Sequence, residues 1–157
     1  MTQEPGRVVS IHIAPKLGAP MVAVNEVRAV PGRGLEGDRY YEHRGSYSGT
    51  PGSGRDVTLV ASEAIEEIER EKGITLGPGA TRCNITTSGL DLNSLIDVEF
   101  RIGKVRVLGM RLCEPCAYLA GLVGQPETVK ALVHRSGSRC DILNGGTIRV
   151  GDEIVTP

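Results

Sequence analysis

The sequence predicts a mainly β fold, an antiparallel sheet closed into a barrel with a few short helices on its connections. Glycine supplies 21 of the 157 residues, roughly twice its usual share of about 7%. Short β-branched runs recur between glycine, proline and asparagine turns, a spacing typical of sandwiches and barrels. Strands and helices alternate too sparsely for a doubly wound parallel sheet. The length suits one domain, residues 1–157, with a core from about 8 to 155.

The N-terminal part contains two predicted strands. Arg7–Ile13 is a β-branched run that stops before Pro15, and Met21–Val30 is a second run that stops at Pro31. Their proximity in the chain makes them plausible antiparallel partners.

One stretch carries a clear helix signal, Ser62–Lys72, which follows a short predicted strand at Asp56–Val60. Ser62 suits the N-cap position, and Gly73 can end the helix. Ile65 and Ile68 fall on one face and an acidic, solvated face lies elsewhere; helices on the connections are expected to plug the ends of the barrel.

The second half predicts a hairpin and three short strands. Val98–Ile102 and Val105–Val107 alternate apolar and polar residues, and Gly103 suits a two-residue turn between them. A helix is expected from Gln125 to about His134. Three short strands separated by glycine turns follow: Asp141–Leu143, Thr147–Val150 and Glu153–Val155.

A glycine-rich loop, residues 32–55, gathers basic side chains around Asp38. Its composition by itself favours a solvated or partly disordered surface loop; the functional alternative is a loop that brings guanidinium groups and backbone amides to an anion. It matches neither the P-loop nor the dinucleotide-binding fingerprint. Its basic residues are Arg33, Arg39, His43, Arg44 and Arg55.

A polar strand is predicted at Thr81–Thr87. It carries Arg82 and Asn84 beside apolar Ile85. These polar groups could line a cavity or form the solvent face of an edge strand, and the sequence does not choose between the two.

Two cysteines, Cys113 and Cys116, lie in a turn directly after the hairpin, and Pro115 stiffens that turn. A helix turn beginning near Cys116 would favour its thiolate, the form that ligates soft metals and carries sulfur. A zinc site would need two further close ligands, and the remaining cysteines and histidines form no second close pair. A redox CxxC site would need a βαβ context.

Composition excludes several classes of function. The net charge of −1, the pI near 6.3 and an aromatic content of 3% without tryptophan argue against a nucleic-acid partner. The N-terminus lacks a signal-peptide pattern, and no apolar run reaches membrane-spanning length. We therefore expect no membrane association, a cytoplasmic location and reduced cysteines.

Several motifs resemble, in order, those of the MOSC domain family, named after the C-terminal domain of molybdenum cofactor sulfurases. The resemblance covers about Val8 to Val155. The segments that carry it are Gly37–Tyr40, Arg55–Leu59, Gly79–Ile85, Gly89–Leu92, Pro115–Leu119 and Gly145–Asp152. It implies a mostly β barrel that binds the molybdenum cofactor (molybdopterin) or carries sulfur to it or to other metal–sulfur centres.

The resemblance assigns roles to particular residues. The family's characteristic cysteine after proline maps onto Cys116, which would be the sulfur acceptor or the molybdenum ligand. Because molybdopterin carries a phosphate, Arg39, Arg55 and Arg82 are expected to converge near Asn84 and hold its anionic end. The chain departs from the family pattern at Cys83, where Arg or Glu is usual, and in the Gly- and Ser-rich insert Gly45–Gly54.

Partners follow from the same resemblance. The chain carries no pyridoxal-phosphate desulfurase domain, so a separate cysteine desulfurase or a molybdoenzyme is the expected partner. The alternatives are a stand-alone molybdoenzyme that reduces N-hydroxylated compounds with an electron donor, and a zinc or redox module that uses Cys113 and Cys116 together.

Overall fold

A computed structural model describes six parts of the chain, and the fold and site below are built from them. Among these residues, no helix is long and apolar enough to cross a membrane. The described residues are 6–15, 19–38, 41, 56–73, 83–112 and 137–157.

The described residues form two sheets, one helix and one short 3-10 turn at Leu92–Leu95. The helix, α1, spans Ser62–Lys72. The strands are β1 (Gly6–Ile13), β2 (Val22–Val24), β3 (Glu26–Val30), β4 (Gly34–Leu35), β5 (Val57–Ala61), β6 (Ile85–Ser88), β7 (Glu99–Ile102), β8 (Val105–Leu112), β9 (Ser138–Ile142), β10 (Gly146–Arg149) and β11 (Glu153–Val155).

Seven strands close into a barrel in the order β1-β11-β7-β8-β9-β5-β6 and back to β1, which confirms the predicted closed barrel. One pairing differs from a purely antiparallel arrangement, because β5 and β6 run parallel. Every antiparallel pairing reverses the strand direction, so a closed ring needs an even number of reversals. A ring of seven strands must therefore contain at least one parallel pair.

Helix α1 lies on the connection between the two parallel strands, as parallel neighbours require a crossover. The predicted helix is confirmed, and Gly73 ends it in the left-handed conformation with its N–H on the Glu69 carbonyl. The N-cap differs from the prediction, since Ala61 occupies that position and Ser62 is already helical. Val60 and Ile68 are fully buried between helix and barrel wall.

The barrel interior is apolar. Its buried residues come from every strand of the ring, including Phe100 on β7, and from the turn residues Leu92 and Leu95. Two neighbouring positions, Ile11 and Ile85, are directly paired and wholly buried. Burial of such side chains contributes about 1.5–3 kcal/mol each.

The predicted second strand is divided into β2 and β3 at Asn25. Strand β2 pairs antiparallel with the end of β1, with Val22 opposite Ile13. The expected pairing is therefore confirmed for this half of the predicted second strand. Strand β3 instead joins β4 and β10 in a separate three-stranded sheet. Asp56 ties this sheet to the barrel, because its Oδ2 accepts from the N–H groups of Gly32 (3.2 Å) and Ile142 (3.0 Å).

The predicted hairpin is present as β7 and β8, with Ile102 opposite Val105. Strand β8 runs further than the sequence suggested and ends only at Leu112, with a bulge between Gly109 and Arg111. The bulge shifts the alternation, so Leu112 and Val107 both face inwards although their spacing is odd.

Asn84 links three strands by hydrogen bonds at the start of the parallel pair. Its side-chain oxygen accepts from the N–H and the hydroxyl of Thr58, both at 3.1 Å, and its amide donates to the His12 carbonyl at 3.2 Å. The Asn84 N–H in turn donates to Thr58 Oγ1 at 2.9 Å. Asn84 is fully buried, so these bonds form away from competing water and link β5, β6 and β1.

We expect Asn84→Ala to lower the free energy of unfolding by about 2–4 kcal/mol, because it leaves buried Thr58 and His12 backbone groups unpaired. Urea denaturation measures this loss. Asn144→Ala is the matched control, since the Asn144 side chain also bridges backbone groups, those of Arg106 and Lys104, but is exposed. Its loss should stay below about 1 kcal/mol. Equal losses for the two variants would contradict the role given to Asn84.

Gly137→Ala should destabilise far more than Gly151→Ala. Both glycines have nearly the same positive φ, 94° and 93°, so each substitution carries the same backbone cost of about 1–2 kcal/mol. A Cβ on Gly137 would overlap the Leu59 carbonyl, whereas one on Gly151 would meet nothing within 4 Å. We expect an additional loss above about 2 kcal/mol for Gly137→Ala in urea denaturation. Similar losses of stability in the two variants would contradict the close approach of Gly137, directly before β9, to the Leu59 carbonyl on β5.

Candidate functional site

A row of polar side chains crosses the outer face of the barrel, and we call it the polar row. Pairing aligns its members on five neighbouring strands, from β1 through β6, β5 and β9 to β8. The polar row consists of His12, Asn84, Thr58, Arg139 and Arg111.

Alternation along the strands puts this row on the outside. The neighbouring inward row contains Ile11, Ile85 and Leu59, which are paired with one another and fully buried in the core. Successive side chains of a strand point to opposite faces, so the next residues face outwards. Outward positions on a barrel are usually solvated, yet three members of the polar row are buried.

The centre of the row is fully hydrogen-bonded within the protein. Asn84 and Thr58 satisfy each other, and Asn84 also engages the His12 backbone. Asn84, one of the polar residues of the predicted strand Thr81–Thr87, therefore does not lie on a solvent-exposed face. Its side chain is held in place by protein contacts, so its expected contact with a cofactor stays a prediction.

His12 occupies the β1 end of the row. Its side chain is only 4% exposed, and its Nδ1 has no hydrogen-bond partner among the described residues. Burial lowers the pKa of His12, because desolvation disfavours the charged imidazolium. The imidazole is thus neutral at physiological pH, and its Nδ1 is a buried polar atom without a partner in the described part of the chain.

Arg139 and Arg111 form the β8 end of the row, directly opposite each other on neighbouring strands. Residues so placed have Cβ atoms about 4.5–5.5 Å apart. Arg139 is half-buried and Arg111 is exposed. Two guanidinium groups at this spacing concentrate hydrogen-bond donors and positive charge, a combination that suits phosphate and other oxyanions.

Most of the sequence-predicted site residues, Arg39, Arg55, Arg82 and Cys116, lie outside the described residues, as do Cys113 and the expected helix from Gln125. Their described neighbours can be located. Arg82 is two residues before Asn84, and Cys113 is two residues after Arg111.

The neighbours of the other two arginines are also near the row. Asp38, which precedes Arg39, accepts from the N–H of Ala14 through Oδ1 at 2.9 Å, and Ala14 is two residues after His12. Asp56, which follows Arg55, is two residues before Thr58. Burial is the main cause that raises the pKa of the Asp56 carboxyl, with Asp141 adding to it.

The described cysteines are buried thiols rather than metal ligands. Cys83 and Cys140 are both buried. Burial raises the pKa of the Cys140 thiol to about 12, so it stays protonated and unreactive. Within the described ranges, no three His, Cys, Asp or Glu side chains come close enough to hold a metal ion.

Sequence reasoning missed His12, Arg111 and Arg139. His12 lies in an apolar strand between Ile11 and Ile13, and that placement is a signal of an unusual buried polar residue. The two arginines carried no local signal, because only the pairing of β8 with β9 brings them together.

A molybdenum cofactor fits the chemistry of this region on two counts. Arg111 and Arg139 suit an anionic group of a ligand, and the buried His12 Nδ1, which has no partner among the described residues, is a polar atom that a ligand could satisfy. The thiols available to a metal would be those of Cys113 and Cys116, outside the described residues.

Comparison with solved structures finds the same fold in small bacterial proteins. YuaD from Bacillus subtilis matches with a TM-score of 0.79 and 21% identity, over 96% of this chain and 94% of that one. YiiM from Geobacillus stearothermophilus matches with a TM-score of 0.76 and 22% identity, over 98% and 75% of the two chains. YiiM from Escherichia coli matches with a TM-score of 0.69 and 17% identity, over 96% and 69%.

A comparison with curated protein sequences finds no match. A family model for the MOSC domain matches residues 43–155. This range takes in β5 to β11 and four of the five residues of the polar row. The match covers well over half of the chain and agrees with the fold of the structural neighbours. The chain therefore belongs to the MOSC domain family.

Proposed function

We propose that this protein binds the molybdenum cofactor along the polar row and uses Cys116 as a molybdenum ligand or as a sulfur acceptor. The MOSC family is associated with this cofactor. The observation that carries the proposal is the polar row itself, whose members Asn84 and Arg111 are close in sequence to predicted site residues. Arg82 is two residues from Asn84, and Cys113 is two residues from Arg111.

The row suits a ligand with chemically different ends. Asn84 and Arg111 are separated by three strand spacings, about 14 Å. Arg111 and Arg139 lie opposite each other at the β8 end of the row, and Arg82 is two residues before Asn84 in the sequence. A phosphate-bearing pterin could therefore be anchored by guanidinium groups while its metal end faces a thiolate.

Each group on the chain would have a distinct task. Arg39, Arg55 and Arg82 would neutralise the phosphate, and Asn84 would keep β6 in register so that Arg82 is correctly aimed. Cys116, as thiolate, would ligate molybdenum, and the bound cofactor would then supply two-electron oxygen-atom chemistry. The proton lost from the thiol would pass to solvent.

The sulfur-acceptor role needs a partner, for which we propose a pyridoxal-phosphate-dependent cysteine desulfurase. The Cys116 thiolate would attack the terminal sulfur of the partner's persulfide. A Cys116 persulfide forms and the partner's cysteine leaves as thiolate, so no external oxidant is consumed.

Elemental analysis of protein from a molybdate-fed host tests the proposal, together with fluorescence of the oxidised pterin. Molybdenum with pterin supports cofactor binding. Zinc without pterin would instead support a CxxC metal site. If molybdenum and pterin are present, turnover of a hydroxylamine with an electron donor tests whether the protein is a reductase. If neither metal nor pterin is found and Cys116 takes up no sulfur, the proposal fails.

Cys116→Ser should abolish molybdenum retention and persulfide loading, whereas Cys113→Ser should keep most of both. Serine is a harder and far less acidic ligand and carries no sulfur. Intact-mass analysis and elemental analysis report the two outcomes. Because Cys83 and Cys140 are buried, native iodoacetamide labelling should report only the other two cysteines, with Cys116 reacting first at mildly acidic pH. Equal loss in both variants would mean that the two thiols act as a unit.

Arg39→Ala, Arg55→Ala and Arg82→Ala should each reduce the pterin that copurifies, by about tenfold, because each removes a charge-assisted bond to the phosphate. Their unfolding midpoints in urea should stay close to that of the parent protein. Arg70→Ala on the exposed face of α1 is the matched control and should keep the full pterin content. Retention that is unchanged in all three variants would remove the arginines from the site.

A further inference from the structure

We propose that the Nδ1 atom of His12 forms a hydrogen bond with the ligand bound along the polar row, at an uncharged polar edge of that ligand. This inference rests on the proposed function and adds a binding residue that the family motifs do not include. The pterin ring of the cofactor offers such an edge, with N–H donors and nitrogen and carbonyl acceptors.

The first ground is the unmet hydrogen bond. Buried polar side-chain atoms nearly always have a partner, and a buried group left without one costs about 1–3 kcal/mol. His12 Nδ1 is such an atom among the described residues, in a residue that is only 4% exposed. A group that destabilises the ligand-free protein in this way is explained if a ligand satisfies it.

The second ground is the rigid placement of His12. Its backbone N–H donates to the Asn84 carbonyl at 2.7 Å, and its carbonyl accepts from the Asn84 side chain at 3.2 Å. Both bonds are buried, so the strand cannot rotate or shift to take His12 to solvent. The backbone of His12 is therefore fixed beside Asn84 in the row.

The third ground is the charge state. Burial lowers the pKa of His12, so the imidazole is neutral and offers a hydrogen bond rather than a charge. Arginines already supply positive charge for a phosphate. A neutral imidazole is suited to a heterocycle, where a buried charge would be costly. In this proposal, arginines bind the anionic group of the ligand, and the neutral imidazole of His12 binds its ring.

The inference predicts opposite effects on stability and on binding. His12→Leu removes the unpaired atom, so the ligand-free protein should melt at an unchanged or higher temperature, by up to about 4 °C. The same variant should retain about tenfold less pterin, which corresponds to one lost hydrogen bond of about 1.4 kcal/mol. His12→Asn keeps a polar group near the Nδ1 position and should retain most of the pterin.

The experiment measures melting temperature of the ligand-free protein and pterin content of protein from the molybdate-fed host. Ser10→Ala, two residues away on the same strand, is the control and should change neither value. In the wild-type protein, the ¹⁵N resonance of His12 Nδ1 should shift when the cofactor is bound, and His12→Asn assigns that resonance. This readout does not depend on whether His12→Leu folds.

Three results would overturn the inference. His12→Leu could retain pterin like the wild type, in which case cofactor binding stands and His12 has no part in it. His12→Leu could lower the melting temperature by several degrees, which would make the residue structural. An unshifted ¹⁵N resonance on cofactor binding would exclude contact. If the wild-type protein itself holds no pterin, the cofactor-binding part of the proposed function fails first, and the assignment of His12 to a pterin fails with it.

Discussion

The buried hydrogen bonds of Asn84 hold together the one junction where the barrel departs from simple antiparallel pairing. A closed ring of seven strands must contain a parallel pair, and here it is β5 with β6. Parallel strands cannot be joined by a tight turn, so β6 arrives from a distant point of the chain. Asn84, directly before β6, joins it to Thr58 and to the His12 backbone. These bonds set the register of three strands at once.

The parallel pair also explains why polar side chains can be buried on the outside of a barrel. Its crossover helix, α1, has to lie against the outer face, where it contacts both β5 and β6. Val60 and Ile68 form an apolar layer there, and the polar row runs beside it. Within the row, Asn84 and Thr58 satisfy each other, whereas His12 Nδ1 has no partner among the described residues.

The candidate site was only partly predictable. Family-like motifs pointed to Asn84 and to the strand that it begins, and the structure gives Asn84 a role in joining strands. Arg111 and Arg139 have 27 intervening residues in the sequence and no local motif. Their alignment depends on the pairing of β8 with β9 and on the bulge after Gly109, which shifts Arg111 to the outer face. A one-residue change in register would turn it inwards.

The sequence alone determined the strand content, the helix at Ser62–Lys72, the hairpin around Gly103 and the closed barrel, because these follow from local alternation, turn residues and length. Only the tertiary structure decided that β5 and β6 run parallel, that Met21–Val30 divides between two sheets, and that His12 faces a polar row instead of the core. Strand direction and register are relations between distant segments, and local patterns do not encode them. The burial that hides His12 from water is likewise a property of the assembled chain.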